Sequence, residues 1–322
     1  MKESLERFGP RGWTPDRLPD LSDKSFVITG GNSGIGFEAA RLFLARGARV
    51  WLLCRSRERA EHAERALRSE VGETAAIEIV ELELSSLASV RRAAETVRQG
   101  LPEIDGLLLN AGIMMIPRRE VTEDGFEKQL AVNHYGHFVL AALLADAVEA
   151  AAGRFVSVSS IAHRMGLKRI RFEDIEFERG YRPITAYAQT KLANLMFARE
   201  LDRRLRAAGR KSRALVCHPG YSATRLQTTG PGAIWGGLMR LSNAIVAQPA
   251  ERGGWPLALA AADPEAKGGR YYGPTRFRGL SGPVRENAPA RHACDAEAAA
   301  RLWEVSEEKT GVAWSFDTGK TG

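Results

Sequence analysis

The sequence predicts an α/β fold in which a doubly wound parallel sheet of about seven strands carries helices on both faces. Two observations predict it. Apolar, strand-like runs alternate with helical periodicity along most of the chain, the pattern of strands joined by right-handed helical crossovers. The first such run, Ser25-Phe26-Val27-Ile28, breaks into the turn Thr29-Gly30-Gly31-Asn32-Ser33-Gly34-Ile35-Gly36 and then into a helix. Glycines there permit a tight turn and let backbone amides approach an anion at the N-terminus of the following helix, whose dipole favours negative charge.

The elements follow in order. A helix over residues 37–46 stops at Gly47; a buried-strand run covers 49–54, and a charged helix covers 56–71. Residues 76–84 alternate apolar and acidic side chains, 86–98 are helical, and 104–109 form a strand ending in Asn110-Ala111-Gly112. A helix is expected over 125–152, the fifth strand over 154–159, a long helix over 185–208 and the sixth strand over 212–217. The irregular stretches 164–182 and 225–248 interrupt this pattern and are candidate substrate loops. The expected organisation is an N-terminal extension over 1–24, one Rossmann-like nucleotide-binding and catalytic domain over 25–275, and a C-terminal extension over 276–322 packed on it. In that extension, 295–309 reads as a helix that caps the fold with Trp303 facing inward.

Composition narrows the function classes. A 44% hydrophobic, 26% charged chain is an ordinary globular protein. Cys54, Cys217 and Cys294 are far apart and odd in number, so they read as reduced thiols of a cytoplasmic protein, with no disulfide framework and no metal site. The formal charge of +7 raises the question of nucleic acid. Arginines interleave with acids along helices, and no aromatic-basic module accompanies them, so solvated helix faces explain the charge and no nucleic-acid partner is expected. No signal peptide or transmembrane segment is visible; the most apolar later run, 138–152, contains Asp146 and Glu149.

The glycine turn points to a dinucleotide, which sheets of this kind bind beyond the carboxyl ends of their strands. The end of the second strand discriminates between the two nicotinamide cofactors: an acid there bonds ribose hydroxyls, a base accepts the extra phosphate. Here it reads Leu53-Cys54-Arg55-Ser56-Arg57. Arg55 can form a charge-assisted bond to phosphate, which favours NADP(H) over NAD(H).

The candidate catalytic groups are Asn133, Ser160, Tyr187 and Lys191. Tyr187 and Lys191 are four residues apart on the long helix and so share a face. A phenol becomes a useful acid or base when a neighbouring ammonium favours the phenolate. Ser160 follows the fifth strand, where its hydroxyl can hold a carbonyl oxygen, and Asn133 is an amide inside an apolar helical stretch that needs partners.

This ordered set resembles the short-chain dehydrogenase/reductase family. The match runs over Thr29 to Gly36, Asn110-Ala111-Gly112, Asn133, Ser160, Tyr187 with Lys191, and Pro219-Gly220 followed by Thr224. Arg55, Asn133-His134-Tyr135-Gly136-His137-Phe138, Ser159-Ser160-Ile161-Ala162-His163, Lys191-Leu192-Ala193-Asn194, His218-Pro219-Gly220 and Tyr271-Tyr272-Gly273-Pro274 are similar to its retinol-dehydrogenase-like and WW-domain-oxidoreductase-like branch. The resemblance implies an NADP(H)-dependent oxidoreductase interconverting an alcohol and a ketone or aldehyde on a lipophilic small molecule. Tyr187 would be the proton donor or acceptor, and Ser160 would bond the same substrate oxygen. Lys191 would hold the nicotinamide ribose and lower the Tyr187 pKa, and Asn133 would support a water linking Lys191 to solvent. Gly30, Asn32, Ser33, Gly34, Ile35, Gly36, Arg55, Glu83, Leu84, Asn110, Ala111, Gly112, Tyr187, Lys191, Pro219, Gly220 and Thr224 would contact the cofactor.

Two departures stand out. The N-terminal membrane anchor of many retinol dehydrogenases has no counterpart, which speaks against retinoid metabolism, and Glu83 stands where the family commonly has an aspartate near the adenine. The resemblance also implies a homodimer or homotetramer through alanine-rich faces of the helices over 125–152 and 185–208. His134, His137, His163 and His218 lack ligand spacing and read as packing or hydrogen-bonding residues. Ile234-Trp235-Gly236-Gly237-Leu238-Met239 reads as a lid over an apolar substrate, with a membrane-touching patch or plain helix core as alternatives. The competing function is a catalytically silent NADP(H)-binding sensor or scaffold of the same fold, which has no need of the intact catalytic residues.

Overall fold

The computed structural model describes residues 6–220 and 250–316. Short apolar runs form the strands β1 (Ser25–Thr29), β2 (Arg49–Cys54), β3 (Ile77–Glu81), β4 (Gly106–Leu109), β5 (Arg154–Val158), β6 (Arg213–Cys217), β7 (Tyr271–Arg276) and β8 (Ser281–Asn287). They build one eight-stranded sheet in the order β3-β2-β1-β4-β5-β6-β7-β8. All neighbours are parallel except β7 and β8, which form an antiparallel hairpin. The eighth strand lies in what the sequence suggested to be an extension; its Ser281-Gly282-Pro283-Val284 has too little apolar content to announce a strand, and pairing with β7 creates it.

Helices α1 (Gly34–Leu44), α2 (Arg57–Val71) and α3 (Leu87–Gly100) connect the early strands. Ser56 and Ser86 cap α2 and α3, accepting hydrogen bonds from the amides of Arg59 and Ser89. The helix expected from residue 125 begins later. Gly125 has φ +86° and donates to the Thr122 carbonyl in a turn, and the helix begins only where the Glu127 side chain accepts the amides of Gln129 and Leu130. A π-helical turn then spans Ala131–Tyr135, followed by α4 (Gly136–Leu143) and α5 (Ala145–Ala150). Pro183 opens α6 (Pro183–Ala207); α7 (Ala250–Ala262) and α8 (Ala296–Thr310) follow among the described residues.

The sheet separates two apolar layers. One contains Phe43 of α1, Leu67 of α2 and Leu257 of α7; the other contains Val90 of α3, Phe138 of α4 and Leu201 of α6. Between α1 and α7 the backbones come close enough that a Cβ on Gly254 would lie 2.7 Å from that of Glu38. The N-terminal residues fold back as well. Trp13, fully buried, donates its indole N–H to Asp263 at 2.8 Å, and Arg285 of β8 bonds the carbonyls of Gly9 and Pro10.

The alanine-rich faces of α4 and α6, the expected oligomer contacts, are buried within the chain. Every residue from Ala186 to Ala198 is buried, so the first half of α6 is a core helix. Its outer side is covered by α8, whose Trp303 stacks on Phe197 at 5.8 Å and meets Phe138 edge-on at 5.3 Å. Trp314 and Phe316 extend this aromatic cluster, and the Arg204 guanidinium lies 4.6 Å over Trp303. Replacing Trp303 by alanine is expected to destabilise the fold by about 3–5 kcal/mol. A melting temperature unchanged from the wild type would show that α8 does not anchor this face.

Candidate functional site

β1 and β4 are neighbours in the sheet although the chain runs from β1 to β2 on the other side. This reversal opens a crevice beyond the strand ends, the usual ligand position of such sheets. Gly30 and Gly34 adopt φ of +66° and +57°, which admit glycine at little cost. A Cβ on Gly36 would lie 2.5 Å from Asn110 Nδ2, so the turn packs directly on the end of β4. The Thr29 hydroxyl oxygen accepts the amides of Asn110 and Ala111, each at 2.9 Å, and Asn110 Nδ2 donates to the Thr29 carbonyl. Ser33 N-caps α1 without a side-chain bond to the helix, Asn32 is half-buried, and Ile35 packs against the core. Asn110 Oδ1 is buried without a protein partner, as expected for an atom facing a ligand or water.

Arg55 ends β2, 65% exposed, with Nη1 3.7 Å from Glu83 Oε2. The other Glu83 oxygen accepts the amide and hydroxyl of Ser85, which fixes the carboxylate at the rim. Leu84 is buried in the apolar layer of Val90 and Phe138. Its carbonyl would be 2.5 Å from a Cβ at Gly136.

The catalytic candidates converge where β5 runs into α6. Lys191 Nζ donates to the Val158 carbonyl at 3.1 Å, and the Ser159 hydroxyl donates to the Lys191 carbonyl at 2.7 Å. Asn194 Nδ2 shares the Val158 carbonyl, also at 3.1 Å, while the Ser157 hydroxyl donates to the Asn194 carbonyl. Tyr187, one turn before Lys191, has its ring centroid 5.8 Å from Nζ, and the Ser160 side chain acts on its phenol. Asn133 sits in the π turn, a feature often found at functional sites. Its Oδ1 accepts the Ile113 amide, and its Nδ2 donates to the Ile113 carbonyl and the Thr190 hydroxyl. A Cβ on Gly112 would approach Asn133 Oδ1 to 3.0 Å and Lys191 Nζ to 3.5 Å.

Electrostatics in this protein-only site is dominated by burial. It pushes the Tyr187 phenol up to about 12, partly offset by Ser160, and lowers the Lys191 ammonium to about 8. The expected depression of the phenol is therefore not a property of the tyrosine and lysine alone.

Thr190, Ser159 and Asn194 were not singled out by their residue types. Only their spacing of three from Tyr187 or Lys191, and adjacency to Ser160, hint at them. His134, His137, His163 and His218 are buried and bonded. His137 Nδ1 lies 3.2 Å from the Asn133 carbonyl and Nε2 2.9 Å from the Thr29 hydroxyl, joining the glycine turn to the catalytic amide. His134 pairs with Ser306 of α8, and His218 Nδ1 accepts the Gly220 amide. Pro219 and Gly220 follow β6 at the same end of the sheet. Thr224, the candidate loop 225–248 and the segment 234–239 lie outside the described residues. Among the described residues, no group of three or more His, Cys, Asp or Glu is gathered to hold a metal, and no helix is long and apolar enough to cross a membrane.

The family model of short chain dehydrogenases matches residues 24–172. Human retinol dehydrogenase 12 is 36% identical over 296 residues, covering 91% of this chain and 88% of that protein. Human retinol dehydrogenase 13 is 37% identical over 310 residues, covering 91% and 86%. The crystal structure of an uncharacterised protein from Mycobacterium paratuberculosis superposes with a TM-score of 0.78 at 40% identity, covering 94% of this chain and 99% of that one. With the crevice and the Ser160, Tyr187 and Lys191 cluster in place, these matches settle the family. The chain belongs to the short-chain dehydrogenase/reductases, in their retinol-dehydrogenase-like branch, and is an oxidoreductase acting on CH–OH groups.

Proposed function

We propose that the protein uses NADP(H) to interconvert an alcohol and a ketone or aldehyde on a lipophilic small molecule, with Tyr187 as the acid and base. The observation that carries this reading is Tyr187 set one helical turn from the buried Lys191, its ring centroid 5.8 Å from Nζ, with the Ser160 side chain acting on the phenol. The crevice fits a dinucleotide: glycines clear its floor, and the buried Asn110 Oδ1 is left without a protein partner. When bound, the nicotinamide supplies or accepts the hydride.

In reduction the Ser160 hydroxyl holds the substrate oxygen while Tyr187 gives it a proton. In oxidation the phenolate takes the proton back. Lys191, lowered only to about 8, remains an ammonium at neutral pH and would bond the nicotinamide ribose. Asn133 would support a water beside Lys191, as the family resemblance implies. A lipophilic substrate is supported by the half-exposed Met165 and Leu167, since the loop bearing them rests on the start of α6. A Cβ on Gly166, between them, would be 3.1 Å from that of Ala188, beside Tyr187. Retinoids are one such class, suggested by the names of the relatives.

NADP(H) selectivity is proposed for Arg55, whose exposed pairing with Glu83 is weak enough for a phosphate to displace. A cytoplasmic setting is supported by Cys54, Cys217 and Cys294, which are all free. A homo-oligomer built through α4 and α6 would require α8 to leave the face it covers, so the oligomer is proposed only through other surfaces.

NADPH consumption with a panel of apolar aldehydes and ketones, retinal included, tests the reaction. Tyr187→Phe is expected to lower kcat by about 10²–10⁴-fold with cofactor affinity unchanged; undiminished turnover would remove the assigned acid. Arg55→Ala is expected to lower the NADPH-over-NADH ratio of kcat/KM by about 10- to 100-fold, the worth of one charged hydrogen bond. An unchanged ratio would place phosphate recognition elsewhere.

A further inference from the structure

Ser160 N-caps a short 3₁₀ turn, Ile161–Arg164, its hydroxyl oxygen accepting the Ala162 amide at 3.2 Å. The third residue of that turn, His163, is fully buried and uses both ring nitrogens. Nε2 faces the Ala290 amide at 3.2 Å. A backbone N–H can only donate, so Nε2 carries the lone pair and Nδ1 carries the proton of a neutral ring. That Nδ1–H then donates to the Ser160 carbonyl at 2.6 Å.

One tautomer thus satisfies every contact of the ring. Burial supports the neutral form, lowering the imidazole to about 4, and Arg164 and His292 add to that direction. Two further bonds run the same way. His292 Nε2 donates to the His163 carbonyl at 2.8 Å, and Arg164 Nη2 donates to the Ala288 carbonyl at 2.9 Å. The stretch 288–292, between β8 and α8, is therefore laced to the loop that bears the serine.

We propose that His163 is a positioning residue for Ser160: its neutral imidazole, with Nε2 occupied by the Ala290 amide, clamps the serine's carbonyl through Nδ1. The proposal rests on the reading of Ser160 as the group that holds the substrate oxygen.

The two halves of the clamp separate by substitution. In His163→Asn an amide N–H reaches the place of Nδ1 and keeps the bond to Ser160, but the acceptor for Ala290 is lost. In His163→Gln an amide oxygen reaches the place of Nε2 and keeps Ala290, but the bond to Ser160 is lost. The Asn variant is expected to retain kcat within about twofold while hydrogen exchange across 288–294 accelerates. The Gln variant is expected to lose about tenfold in kcat, the worth of one neutral hydrogen bond, with NADPH KM unchanged and 288–294 still protected. Equal kcat losses in both variants, or none in either, overturn the proposal. Wild-type turnover separates the two readings: none across the panel defeats the proposed reaction, and turnover without the Asn/Gln split defeats this inference alone. Because exchange needs no substrate, a 288–294 stretch that responds identically in both variants overturns the clamp even in a silent protein.

Discussion

The junction between β5 and α6 is the constraint on which the rest of the site depends. Val158, the last residue of the strand, offers one carbonyl to both Lys191 Nζ and Asn194 Nδ2, and Ser157 and Ser159 return hydroxyls to the carbonyls of Asn194 and Lys191. Four bonds in both directions fix the rotation and height of α6 against the strand. A slip of one residue along the helix would turn Tyr187 and Lys191 by about 100°. The arrangement also explains how an ammonium stays 5% exposed under an apolar sheet edge. Its single carbonyl partner only partly offsets desolvation, and the lowered pKa expresses the remainder.

Much of this was legible in the chain, and the legible part is local. The glycine turn, the alternation of strands and helices, and the Tyr187 and Lys191 spacing are short-range patterns, and the structure places each at the carboxyl end of the sheet. What was not legible depends on distant partners. Nothing near Asn133 marks a π turn, because the turn follows from an amide committed to Ile113 and Thr190, 20 and 57 residues away. His163 reads as a packing histidine until Tyr271 of β7 and the 288–292 stretch close around it. The weakly apolar β8 exists because β7 needs an antiparallel neighbour, and residues 6–18 exist as a fixed segment because Asp263 and Arg285 hold them.

The alanine-rich helices show how one pattern supports two architectures. Small side chains on α4 and α6 permit close helix packing whether the covering helix comes from a partner or from the same chain. Here the decision is made by aromatic bulk at the C-terminus. Trp303, Trp314 and Phe316 supply large apolar surfaces that match Phe138 and Phe197, and Ser306 accepts the imidazole of His134. An intramolecular cover pays no association entropy, so it holds at any protein concentration. The surplus of arginine follows a related logic. Arg57 pairs with Glu61, Arg68 with Glu64, Arg204 with Glu200 and Arg206 with Asp202, each four residues apart on a helix. These four bases are committed to helix faces.

Arg55 differs from those arginines in a way that bears on cofactor choice. Its partner Glu83 is not on its own helix but two residues past the end of the neighbouring strand β3, and the 3.7 Å separation is longer than the helical pairs, which lie at 2.7 to 2.9 Å. A solvated pair at that distance contributes about 0–1 kcal/mol, whereas a phosphate dianion offers a doubly charged, bidentate partner. Glu83 does not become an orphan when Arg55 turns away, because the Ser85 amide and hydroxyl already satisfy one of its oxygens and the other faces solvent at the rim. The pair therefore keeps the guanidinium at the strand end without binding it tightly, and the exchange of a carboxylate for a phosphate leaves no buried charge behind.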